Sequence, residues 1–177
     1  MNSVFKIIWS LVFTLHLLCS SVSHAEERLI SESQAKAAFV FKAAHYISWP
    51  PPASNALFIG VLGKGPLGRE WQNISGKMVN GSKLIVIKSS DIDEMLNCRI
   101  VFIEENNQTR LSRILPILRD YPILTIGDSP AFISFGGILN ISLLYTRITF
   151  SVNLIQARAV GLDISSNLLK LASEVIK

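Results

Sequence analysis

Gly63-Lys64-Gly65-Pro66-Leu67-Gly68 spells G-x-G-x-x-G between an apolar run and a segment with helical spacing. In that context backbone N–H groups can cradle a dinucleotide pyrophosphate. Pro66 removes one of those N–H groups, and the next apolar run ends in Lys88-Ser89 rather than in the acid that would hold a ribose hydroxyl. The six residues therefore read as a strand-to-helix turn with Pro66 at the first helical position. A second set carries carboxylates. Glu104 and Glu105 follow one apolar run, Asp128 follows the next, and Lys64 and Ser89 stand after the two before them. If those runs are parallel strands, Lys64, Ser89, Glu104 and Asp128 gather at the carboxyl ends, where open α/β sheets bind ligands. Solvated loop ends are the plainer reading of the same four residues.

Cys98 and His45 are the cysteine and histidine that remain once an N-terminal leader is set aside. One of each cannot build a transition-metal site, and no metal or cofactor is expected. A nucleophilic triad would need His45, which lies on an apolar helical stretch beside Tyr46 and Trp49 with no supporting motif nearby. There is no G-x-S-x-G elbow either. Cys98 reads as a buried thiol, because a nucleophile needs a cationic neighbour and Arg99, next in the chain, points to the other face of a strand. The chemistry-bearing residues are thus too few for catalysis, and the expectation is a binding protein rather than an enzyme.

The leader is Lys6, an apolar run from Ile7 to Leu18, and small residues Ser23 and Ala25 at the −3 and −1 positions. This is the layout of a secretory signal peptide, with cleavage expected after Ala25 and a destination in the periplasm. The run is shorter than the roughly 20 residues needed to span a bilayer. Without the leader the net charge is one less than the +4 of the full 177-residue chain, and no dense Lys/Arg block exists. Nucleic acid is therefore not an expected partner.

The remainder, residues 26–177, reads as one domain. Ser31-Glu32-Ser33-Gln34 has the form of a capping box. Ala35, Ala38, Phe39, Lys42, Ala43, Tyr46 and Ile47 then recur at helical spacing until Trp49-Pro50-Pro51-Pro52 stops the helix. The runs Leu57–Leu62, Leu84–Ile87, Arg99–Ile103 and Ile123–Ile126 are apolar throughout, as parallel strands covered on both faces must be. Helical segments at 67–74, 91–97 and 108–119 separate them. The pattern then switches to strict alternation over 139–143 and 148–152, an antiparallel hairpin entered through Gly136-Gly137. A helix over 153–160 closes at Gly161. Ser165 caps a last helix whose apolar face is Leu168, Leu171, Ala172 and Val175, with Leu171 turned to the core. The fold class is α/β: a single three-layer domain with a mostly parallel central sheet plus a C-terminal antiparallel hairpin.

An ordered set of short blocks resembles the YfiR family. The blocks are Lys36-Ala37-Ala38-Phe39 with Trp49-Pro50, Val61-Leu62-Gly63 with Pro66-Leu67-Gly68, and Gly76-Lys77-Met78-Val79-Asn80-Gly81. Cys98 to Ile103, Leu124 to Asp128, Phe135-Gly136-Gly137-Ile138 and the tail from Ala159 to Ala172 follow. The resemblance implies a dimeric periplasmic repressor with no enzyme activity of its own. Such a protein binds the periplasmic domain of an inner-membrane diguanylate cyclase and lowers cyclic di-GMP, and an OmpA-type outer-membrane lipoprotein can sequester it. Family members with paired cysteines are stabilised by disulfides, which Cys98 alone cannot reproduce. The contact surface expected here is the C-terminal region, with Leu162, Ile164, Asn167, Leu168 and Lys170. A small-ligand sensor using the strand-end crevice is the alternative, and a hydrolase or an accessory of exopolysaccharide export are further ones.

Overall fold

The computed structural model describes residues 22–51, 55–104, 110–144 and 147–177. Most of the expected leader, Pro52, Glu105 and the Tyr145-Thr146 link of the hairpin lie outside the described residues. The first helix, α1, runs Val22–Ala44. It passes through Ser31 without a break, so Ser31 is helical and does not cap. No Gly or Pro interrupts 22–44, and the chain has no reason to start its helix later. Its buried face is Ala37, Val40, Ala43 and Ala44, whereas Ala38 is exposed. The stripe expected through Ala35 and Ala38 is therefore turned about the axis, because an alanine-rich stretch offers more than one face of similar polarity.

Strands β1 (Ile47–Ser48), β2 (Ala56–Leu62), β3 (Met78–Val79), β4 (Ser82–Ser89), β5 (Ile100–Ile103), β6 (Leu124–Gly127), β7 (Leu139–Leu144), β8 (Arg147–Asn153), β9 (Asp163–Ile164) and β10 (Glu174–Ile176) alternate with short helices. These are α2 (Arg69–Gln72), a 3-10 turn (Asp93–Met95), α3 (Leu111–Leu118), α4 (Leu154–Ala159) and α5 (Ser166–Leu169). Eight strands form one sheet in the order β10-β8-β7-β6-β5-β2-β4-β3. The pairs β4/β2, β2/β5, β5/β6 and β6/β7 are parallel. The parallel strands thus stand in the order second-first-third-fourth-fifth, a doubly wound arrangement with its switch point between β2 and β5. The expected hairpin β7–β8 is antiparallel, with Leu139 opposite Val152 and Leu143 opposite Ile148.

Two edges go beyond the expectation. β3 turns back on β4, and β10 pairs parallel with β8. β1 and β9 form a separate two-stranded antiparallel sheet, Ile47 opposite Ile164. Each added strand is two or three residues long, too short for a period to register.

Alternation along the strands builds two cores. Ile59, Val61, Leu84, Ile100, Phe102, Leu124 and Leu139 face α1 and α4, with Trp71 5.1 Å from Phe102 and Phe39 5.1 Å from Phe150. Leu62, Val101 and Ile103 face α3, which buries Leu111, Ile114, Leu115 and Leu118 at helical spacing. The last helix is a single turn. Ser165 caps it, its hydroxyl accepting from Asn167 N at 3.3 Å, but Val175 belongs to β10 and Leu171 is 70% exposed. The stripe expected to continue through Leu171 fails because the chain leaves the helix after Leu169 to reach the sheet edge.

Candidate functional site

The carboxyl ends of the parallel strands are held by charge pairs between the protein's own side chains. Glu104 leaves β5 at the switch point and accepts from Lys88 Nζ at 2.6 Å. Its carboxylate lies over Gly63, where any side chain atom would collide with it. That gives the glycine directly after β2 a packing reason: it makes room for the charge pair. Lys88 follows Leu84 and Val86 on the inward face of β4, and only 9% of its side chain is exposed. After β6, the strand next to β5, Asp128 accepts from Lys36 Nζ at 2.6 Å, and Glu32, one turn back on α1, takes the same ammonium at 2.7 Å. Burial pulls the Lys36 pKa down; the hydrogen bonds and charges of Asp128 and Glu32 outweigh it and leave the value above the usual 10.5. Asp128 Oδ1 has no partner among the described residues.

The four residues expected around one crevice divide accordingly. Glu104 and Asp128 are each committed to a lysine that was not among the candidates. Ser89 closes a turn, its hydroxyl accepting from Asp91 N at 3.0 Å and its carbonyl from Gly63 N at 3.0 Å. Lys64 is exposed. One of the two lysines was recognisable, since residues 84, 86 and 88 share a strand face. The other, Lys36, is brought to Asp128 only by the packing of α1, which no local pattern encodes. Pro66 precedes the start of α2 at Arg69 instead of opening it, and Gly68 takes the capping position.

His45 sits exposed just past α1, its Nδ1 3.0 Å from the Phe41 carbonyl and its ring edge-on to Phe41. Cys98 is buried, and burial pushes its thiol up to about 11. A thiol so placed is protonated at neutral pH and packs as an apolar group.

The C-terminal segment contains both buried and exposed candidates. Leu162, Ile164 and Leu168 are 2%, 3% and 4% exposed and belong to the core under α4 and β1. Asn167, Lys170 and Leu171 face solvent. Gly161 has φ 78°, the left-handed value expected of a residue that closes α4.

A cavity of about 400 Å³ opens at the opposite end of the sheet, among the amino ends of β2, β4 and β5. Trp49, Pro50, Leu57, Val79, Asn80 and Arg99 are among its walls. The Trp49 indole N–H donates to the Arg99 carbonyl at 3.1 Å, and Asn80 donates to the His45 carbonyl at 3.3 Å. Proximity of Trp49 to Asn80 and Arg99 had no signal in the sequence; the three come from separate elements.

Fold and charge placement together define a doubly wound α/β domain with internally paired buried charges and an inert thiol. The chain belongs to the YfiR/HmsC-like family, whose model matches residues 33–173. Members of that family are periplasmic regulators in the cyclic di-GMP pathway. No helix among the described residues is long and apolar enough to cross a membrane. In fold the chain is similar to a conserved domain protein from Vibrio cholerae O1 biovar El Tor N16961, with TM-score 0.56 and 9% identity over 81% of this chain and 60% of that one. Comparison with curated proteins finds no match.

Proposed function

We propose that the chain is a periplasmic repressor that binds the periplasmic domain of an inner-membrane diguanylate cyclase, lowering cyclic di-GMP and with it biofilm and exopolysaccharide output. The observation that carries the reading is the family match across residues 33–173. The inert thiol and the paired buried charges agree with action through surfaces rather than through chemistry. A repressor works only by preferring the inactive conformation of its target. Moving a cyclase from 1:99 to 99:1 takes roughly 5.5 kcal/mol of that preference. An interface of about 1,600 Å² with a few apolar anchors is sufficient.

The contact is assigned to α5 and the turn after it, where Asn167, Lys170 and Leu171 face outward. Leu162, Ile164 and Leu168 lie beneath it and fix its shape. A homodimer, release by an OmpA-type outer-membrane lipoprotein and removal of residues 1–25 on export belong to the same reading. Capture tests it. Immobilised protein lacking residues 1–25 is expected to retain the cyclase periplasmic domain; passage of that domain without retention overturns the reading. The sensor alternative draws its support from the cavity at the amino ends of the strands rather than from the crevice at their carboxyl ends.

A further inference from the structure

We propose that the face of β4 and its neighbours turned away from α1 is the surface on which a second copy of this chain docks about a two-fold axis. Parallel strands need cover on both faces of their sheet. Along β4, Leu84 and Val86 point into the core under α1, so Lys83, Ile85 and Ile87 point the other way. Phe58 stands opposite Ile85 in the β2/β4 pairing and Met78 opposite Lys83 in the β3/β4 pairing, so both share that face. Over β5 this side of the sheet is covered by α3. Between β4 and β5 the chain supplies the three-residue 3-10 turn Asp93–Met95, whose Met95 sulfur takes the place a side chain on Gly60 would need. Phe58, Ile85 and Ile87 are left half-buried, and Met78 is 56% exposed. Ile85 joins neither core among the described residues.

The charges at the two ends of this face decide the occupant. Lys83 stands at the amino end of β4, and Asp91, Asp93 and Glu94 follow its carboxyl end. All four are exposed, and none takes part in an ion pair among the described residues. One end is thus cationic and the other anionic, with an apolar middle. Two such faces stacked with their strands antiparallel set Lys83 of each copy against the acidic turn of the other, whereas a parallel stacking sets like charges together. Two-fold symmetry produces the first arrangement and closes it at two copies. The apolar middle supplies the burial, as where two sheets pack face to face. The inference names the surface of the homodimer in the repressor reading and rests on that reading for the dimer alone. Oligomeric state is measured without the cyclase, so either can fail by itself.

Sedimentation equilibrium of the protein recovered from the periplasmic fraction tests the assignment. A reversible dimer is expected. Lys83→Glu alone, or Asp93→Lys together with Glu94→Lys, sets like charges against each other at both ends. Either change is expected to weaken the dimer about tenfold at unchanged Tm. Mixing the two variant proteins is expected to restore association as a heterodimer, because each end then meets its opposite charge. Ile85→Asp, which puts a charge in the apolar middle, is expected to leave a monomer. A wild-type protein that stays monomeric overturns the proposal. So does a dimer indifferent to the charge exchanges, or one that mixing does not restore. A monomer that loses cyclase capture on Lys83→Glu would give the face to that partner and likewise overturn it.

Discussion

Leu162 and Leu171 stand on either side of β9 and α5 and differ in surroundings: one is 2% exposed, the other 70%. Leu162→Asp would bury a carboxylate with no partner and is expected to cost more than about 4 kcal/mol, visible as loss of the cooperative thermal transition. Leu171→Asp is expected to change stability by less than about 0.5 kcal/mol while weakening retention of the cyclase domain. Normal capture by Leu171→Asp would remove that residue from the contact. Lys36 argues the converse case, a charge that is needed inside. Lys36→Met strands the buried Asp128 carboxylate and is expected to lower stability by about 3 kcal/mol in urea unfolding. The alkaline side has a definite sign. Because its folded pKa is raised, Lys36 contributes fully below 10.5 and loses that contribution as pH climbs through the folded value. Cys98 acts in the same direction: its thiol ionises from 9.0 upward in the unfolded chain and only near about 11 in the folded one. The urea midpoint is therefore expected to hold up to about pH 9 and fall above it; a midpoint that rises above pH 9 would contradict both placements.

At the scale of elements, the strap between β6 and β7 shows how glycines can encode packing rather than flexibility. Phe132 is fully buried between Gly127 and Gly137, and a Cβ at either glycine would overlap its ring. Gly127→Ala is expected to cost about 1–3 kcal/mol by overpacking, and Phe132→Ala about 3–5 kcal/mol by leaving a hole. Combining Gly127→Ala with Phe132→Leu is expected to recover part of the loss in Tm; simple addition of the two losses would mean that glycine and ring do not share the space. Much of this level was legible in the sequence. The four parallel runs, the hairpin, the Ser165 cap and the Gly161 stop follow from local patterns and stand where those patterns put them, whereas Asn153, read as the first helical residue, instead caps α4 through its side chain. What was not legible depends on partners distant in the chain. The phase of α1 is set by β-sheet packing on Ala37, Val40 and Ala44, β9 and β10 exist only because β1 and β8 offer an edge, and the Lys36–Asp128 pair joins residues 92 positions apart.

At the scale of the whole molecule, the two ends of the sheet differ in content. The carboxyl end, where doubly wound folds usually bind ligands, carries the Lys88–Glu104 and Lys36–Asp128 pairs. The amino end carries the open cavity. The turn after α5 presents a separate surface, anchored to the body through Ile47–Ile164 pairing and the Ser165 N–H to Tyr46 carbonyl bond of 2.9 Å.

The most direct measurement is the cyclic di-GMP level of cells from which the gene is deleted, against the same cells complemented with the wild-type chain. The account predicts that the level rises on deletion and returns on complementation. An unchanged or lower level after deletion would contradict repression of a cyclase.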